Sequence, residues 1–279
     1  MSSESNGTKP DSDTPPSGPE RRPSARAPSA WGAARDALAA VRNLEVLLRS
    51  ASVTHRTILD LLPELHSSAG VLRDAFQGAS AGESAASAVG SHGGARVDEL
   101  SRLLDEAADP QAQRDRLATR AHALADELEA SADLLALLER AAAPMPTEVS
   151  IGLIVHETAR MSGSASGREL AVRLDDASQE CVVKTDPYIV GSLIVLAVGS
   201  AHGGGADPVV VRARCSATEV TVVVEGAGPL DQQHPVVTMR VLPVVPATEQ
   251  AARRVADRIG AALTVGGARW SVVLARAAG

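Results

Sequence analysis

From Leu44 the chain places an apolar or small residue at alternating steps of four and three: Leu44, Leu48, Ala51, His55, Ile58, Leu62, Leu65, Ala69, Leu72 and Phe76. That spacing keeps every member on one face of an α-helix, so it predicts an amphipathic helix with a single core-facing stripe. Only His55 interrupts the stripe, and Pro63 predicts a local kink. Over residues 78–95 the chain turns to Gly, Ala and Ser, including Gly82, Gly90, Gly93 and Gly94, which predicts a long flexible loop. Helical spacing returns with Val97, Leu100, Leu104 and Ala107, breaks near Asp109-Pro110, and resumes from Leu117 to Leu138. Two helical runs of about 45 residues, each about 70 Å long, flank one loop and predict an antiparallel hairpin over 29–144. A lone hairpin buries too little apolar surface, so two are expected to pair as a four-helix bundle in a homodimer.

Pro144 and Pro146 end this pattern, and residues 147–279 have a different texture. A helix around Ile151, Ile154, Val155 and Ala159 precedes a strand over Leu170–Leu174 and a short one at Cys181–Val183. A helix runs from Asp186-Pro187 to Ala201, and a glycine turn follows at Gly203–Gly205. The β-branched segments Val209–Cys215 and Glu219–Glu225 read as strands. A helix over Thr248–Ile259 and strands at Ala262–Val265 and Trp270–Leu274 close the chain. The fold class is therefore α+β: a long helical hairpin followed by an α/β sandwich with a mixed sheet. Residues 1–28, rich in Ser, Pro and Gly, predict a disordered tail.

Composition narrows the functions open to such a chain. Aromatic residues make up 1% of the 279 positions, so there is almost no surface on which bases or sugars could stack. A net charge of −7 argues against nucleic acid, which needs a concentrated basic face. Apolar runs are too short to span a bilayer, and no apolar signal core opens the chain, which predicts a cytoplasmic protein. The two cysteines, Cys181 and Cys215, lie in separate apolar segments without metal-ligand spacing. They are expected to be buried free thiols in a reducing compartment.

Four motifs of the second half occur in a telling order. Thr185-Asp186-Pro187-Tyr188 opens the long helix, and Leu193 through Ala201 fills it. Glu219–Pro229 is a strand and turn containing Glu225-Gly226-Ala227-Gly228, and Ala251–Val265 is a helix leading into a strand. Together these cover about 130 residues and resemble the GHKL ATPase domain of two-component histidine kinases, and the hairpin resembles that family's dimerisation and phosphotransfer domain. The resemblance places the Mg²⁺-ligating Asn positions on Leu196 and Ser200, the adenine-binding Asp on Val224, and the lid glycines near Pro246 and Thr248. Leu and Val offer neither hard oxygen ligands for Mg²⁺ nor donors for a triphosphate. No cofactor is therefore expected, and ATP-dependent kinase activity is not expected either.

The same resemblance implies a phosphoacceptor histidine near the middle of the first long helix. His55 is the candidate, with Arg56 beside it to attract an acidic receiver or assist with phosphate charge. His66, one turn beyond Pro63, is the second candidate, and a partly buried seam histidine is the alternative for His55. His92, His122, His156, His202 and His234 read as surface residues. Two functions follow from the resemblance. One is a dimeric histidine phosphotransferase acting to or from response-regulator receiver domains without ATP; the other is a non-enzymatic adaptor that binds a signalling partner.

Overall fold

The computed structural model describes residues 30–161, 168–174, 181–206, 208–226 and 236–277. The expected tail over 1–28 lies outside them. The helical half consists of four helices: α1 (Ala30–Arg49), α2 (His55–Ser80), α3 (Ser84–Ala107) and α4 (Arg114–Ala141). The first long run is cut at residues 50–54, where the Thr54 side chain caps α2 by accepting from the Thr57 backbone N–H at 3.2 Å. The α2 helix continues through Pro63, which forgoes one intrahelical hydrogen bond.

The expected loop over 78–95 is not a loop. Helix α2 runs to Ser80 and α3 begins at Ser84, leaving only a tight turn between them. Gly90 and Gly93 serve packing instead of flexibility. A Cβ on Gly93 would run into the buried Phe76 ring, and one on Gly90 would lie 2.8 Å from the Phe76 carbonyl oxygen. Small residues at these positions let α3 approach α2 closely.

In the bundle α1 lies against α2 and α4, and α3 against α2 and α4, so the four helices close on one another within a single chain. The stripes predicted from the sequence face this core, with Leu44, Leu72, Phe76, Leu100 and Leu128 wholly buried. Core burial therefore no longer requires the second protomer that a two-helix hairpin would have needed. Arg42 of α1 pins the bundle to α4 through Asp126 at 2.8 Å and Glu129 at 2.9 Å.

The second half carries strands β1 (Thr147–Ser150), β2 (Arg168–Leu174), β3 (Val182–Thr185), β4 (Val209–Cys215), β5 (Glu219–Gly226), β6 (Val236–Val241), β7 (Ala262–Gly266) and β8 (Arg269–Ala275). Between them run helices α5 (Ile151–Met161), α6 (Pro187–Gly203) and α7 (Thr248–Arg258). Six strands form a sheet in the order β6-β2-β4-β5-β8-β7, with β2 and β4 parallel and the other neighbours antiparallel. Strands β1 and β3 make a separate antiparallel pair. Val220, Val222 and Val224 of β5 alternate into the core with Trp270, Val272 and Leu274 of β8. Strand β6 is not among the strands predicted from the sequence; Met239 and Val241 are its buried positions.

The expected free thiols are likewise corrected. Cys181, just before β3, and Cys215, the last residue of β4, are joined in a disulfide with their Cα atoms 5.7 Å apart. Their 34-residue separation hides this proximity in the sequence, because the fold alone brings the two segments together. Among the described residues no helix is long and apolar enough to cross a membrane.

Bundle and sandwich meet at one end of the bundle. Glu83, in the α2–α3 turn, pairs with Arg254 at 3.1 Å and Arg258 at 2.7 Å on α7. Arg140, in the last turn of α4, reaches Asp186 at 3.0 Å. The buried Asp186 carboxylate caps α6 through the Tyr188 and Ile189 N–H groups and also accepts from the Met145 N–H at 2.9 Å.

Candidate functional site

The residues read as chemically informative fall into three places. The first is the free end of the bundle, away from the sandwich, where the α1–α2 turn meets the start of α4. His55 is the first residue of α2 and not a mid-helix residue as expected; it is half-buried, and Arg56 beside it is exposed. Arg114, at the start of α4, donates from Nη1 to the Val53 carbonyl at 2.7 Å, which brings a second guanidinium into the turn that precedes His55. The helix start adds unpaired backbone N–H groups and the positive end of the α2 dipole.

The other histidines separate clearly from this one. His66 is exposed on α2, with Nε2 3.6 Å from Asp105 of α3. His92 is not a surface loop residue: it lies on α3, mostly buried, with Nε2 3.3 Å from Glu127. Burial holds the His92 imidazolium below its ordinary range, partly offset by Glu127. His122 is exposed and lies 2.9 Å from Glu45, His156 is exposed, and His202 is within 3.1 Å of the Ala206 carbonyl. His234 lies outside the described residues.

The second place is the nucleotide side implied by the kinase resemblance. Val224 is 1% exposed and packs in the core, while Glu225 points to the other face of the sheet and pairs with Arg212 at 2.8 Å and Arg269 at 3.3 Å. Leu196 is packed against the core. Ser200 borders an open depression together with Thr248, Glu249 and Arg253. The sequence reading missed Arg253, a cation on this side; its guanidinium is engaged by Glu249 at 2.7 Å and by the Leu263 carbonyl. The Thr248 hydroxyl closes the turn before α7 by donating to the Val245 carbonyl at 2.7 Å. Ala247, between the positions of the missing glycines, adopts φ +70°, a left-handed conformation that strains any residue with a Cβ. The turn geometry that suits glycine persists here without the glycine.

The third place was not visible in the sequence. A cavity of about 570 Å³ lies between the C-terminal half of α4, helices α5 and α6, and the segment from β6 to α7. Its walls are mostly aliphatic, and among the described residues its acidic side chains are Glu129, Asp133 and Glu157. Asp133 lies 3.7 Å from Arg35. The Asp133 side chain is half exposed; its partial desolvation against the apolar wall, reinforced by Glu129 one turn away, pushes its carboxyl up to about 6. The run Leu134-Leu135-Ala136-Leu137-Leu138, apolar on every face of α4, was the available signal: one side faces the bundle and the other this cavity.

No protein-family model and no curated protein matches the chain. Among solved structures it is similar to the histidine kinase AdeS of Acinetobacter baumannii, at 10% identity and a TM-score of 0.45, over 65% of this chain and 94% of that one. That likeness concerns the arrangement of elements; function is read from the residues of this chain.

Proposed function

We propose that the chain is a signalling protein of the two-component type that exchanges phosphoryl groups with receiver domains through His55, without ATP. The observation that supports this most is a separation. His55 opens at the free end of the bundle, whereas the sandwich is fixed to the opposite end through Glu83 and Arg140. Helix α2 has 26 residues between the two ends, and a helix of that length spans about 39 Å. A receiver can therefore approach His55 without meeting the sandwich. Leu196, partly buried against the core, and Val224, within it, carry no hard oxygen ligand for Mg²⁺ and no acceptor for adenine.

Such chemistry asks little of the protein. A receiver brings its own aspartyl phosphate and Mg²⁺, so the partner need only place an imidazole nitrogen in line. The nitrogen lone pair attacks phosphorus, the N–P bond forms as the aspartyl O–P bond breaks, and the carboxylate stays on the receiver. The added negative charge would rest at the start of α2, where the helix dipole, Arg56 and Arg114 all favour it.

One feature favours the second reading, a non-enzymatic adaptor: the first turn of α2 contains no acidic residue that could orient the imidazole. Incubation with phosphorylated receiver domains distinguishes the two. Acid-labile label on the wild-type chain that disappears in His55→Ala supports phosphotransfer. Receiver binding without label supports the adaptor, and label retained in His55→Ala excludes His55. Saturable Mg-ATP binding in calorimetry would contradict both readings.

A further inference from the structure

We propose that the cavity between bundle and sandwich is a binding site for an amphipathic organic cation, with its ammonium group at Asp133 and its apolar body along Leu153, Val195 and Leu196. This site is independent of the chemistry assigned to His55, which lies at the other end of the bundle.

Size and lining come first. About 570 Å³ is within the range of sites that enclose small organic ligands. Glu129, Ala130, Asp133, Leu134 and Leu137 line it from one side of α4, at the spacing of a helix face. Ile154 of α5 and Leu196 of α6 continue the apolar wall. At the mouth, Leu153 (53% exposed), Tyr188 (46%) and Val244 (46%) leave large apolar surfaces in water beside one another. Such convergence is unusual unless something covers it.

Depth selects the occupant. The accessible apolar surface is recessed between α4, α5 and α6 over a floor of Leu134, Leu137 and Ile154 that is at most 3% exposed, a shape that suits a slender molecule.

Charge then selects the head group. Among the described residues, every ionisable lining residue other than Tyr188 is an acid, and none is Lys, Arg or His. Glu129 is already held by Arg42 at 2.9 Å, and Glu157 by Arg160 at 2.6 Å. Asp133 meets Arg35 only at 3.7 Å, longer than a charge-assisted hydrogen bond, and both side chains are half or more exposed. Desolvation and the neighbouring Glu129 carboxylate raise the Asp133 carboxyl further than Arg35 lowers it. A ligand ammonium at this carboxylate would supply positive charge, whereas an anionic ligand, nucleotides included, would be repelled.

The test is calorimetric titration of the full chain with decylammonium and, in parallel, decanoate, both below their aggregation concentrations at pH 7.5. The expected result is saturable one-to-one binding of decylammonium, at least about tenfold tighter than that of decanoate. Asp133→Asn should abolish that preference and Asp133→Glu should largely keep it. Leu153→Trp, a change at the exposed mouth that leaves the buried wall intact, should weaken binding about tenfold. Equal affinity for the two probes, undiminished preference in Asp133→Asn, or unsaturable partitioning would overturn the proposal. So would a ligand-free dimer that Leu153→Trp converts to monomer, since the mouth would then belong to a second copy.

Discussion

At one end of the bundle Glu83, Arg140 and Leu138 are tied to the sandwich by ion pairs and a 2.7 Å hydrogen bond from Arg258, and Asp186 is buried among four donors. At the other end His55 and Arg56 stand beside a short turn, with Thr54 and Arg114 fixing the backbone. At the tied end Glu83, Arg140, Asp186 and Arg258 are all engaged in holding the two halves together. The free end holds polar groups that the fold does not consume. Chemistry is thus expected at the free end, although the sequence resemblance first directs attention to the sandwich.

The tied end can be broken in graded ways. The largest expected effect is on the helix packing that brings Glu83 into position. Gly93→Val would drive a branched side chain into the Phe76 ring and should cost about 3 kcal/mol in urea unfolding. A loss below about 0.5 kcal/mol would return the segment to a flexible loop. Next, Arg140→Ala leaves the wholly buried Asp186 carboxylate without its cation and should cost about 2 kcal/mol. His55→Ala, by contrast, should leave stability within about 0.5 kcal/mol, as expected for a residue that the fold does not need.

Asp133 provides a pH-dependent variant of the same comparison. Its folded-state pKa of about 6 lies above the ordinary 3.8, so between those values the folded chain holds a proton that the unfolded chain releases. The associated stability is fully present below about pH 4 and is lost as pH rises through 6. Asp133→Asn should therefore stabilise the protein at pH 7 by on the order of 1 kcal/mol, a figure reduced from the full shift because half the side chain is open to solvent. The gain should vanish below pH 4. A modest gain is expected at Ala247, where Ala247→Gly relieves a positive φ and should add about 0.5–1 kcal/mol in thermal unfolding.

Much of this molecule is written in its hydrophobic periodicity. The stripes of Leu, Ala and Phe foretold helices, and the β-branched runs of β4 and β5 foretold strands, because both depend on neighbours within a few residues. The misreadings came where distant contacts decide. Gly90 and Gly93 read as flexible because composition does not reveal that Phe76 packs over them. The break at residues 50–54 was announced only by Thr54 and Thr57, a cap that lies within an apolar stripe. Pairing of Cys181 with Cys215 and convergence of Asp133 with Leu153 and Leu196 belong to the tertiary fold. The reading of Val224 and Leu196 as poor nucleotide ligands rests on side-chain chemistry alone and needs no tertiary contact.

Hydrogen exchange of the full chain, with and without a receiver domain that labels it, tests the assignment of function to the free end most directly. Protection is expected at residues 50–57 and 108–114, with none gained at 195–200 or 242–250. Protection confined to those two nucleotide-side segments, with 50–57 unchanged, would contradict it.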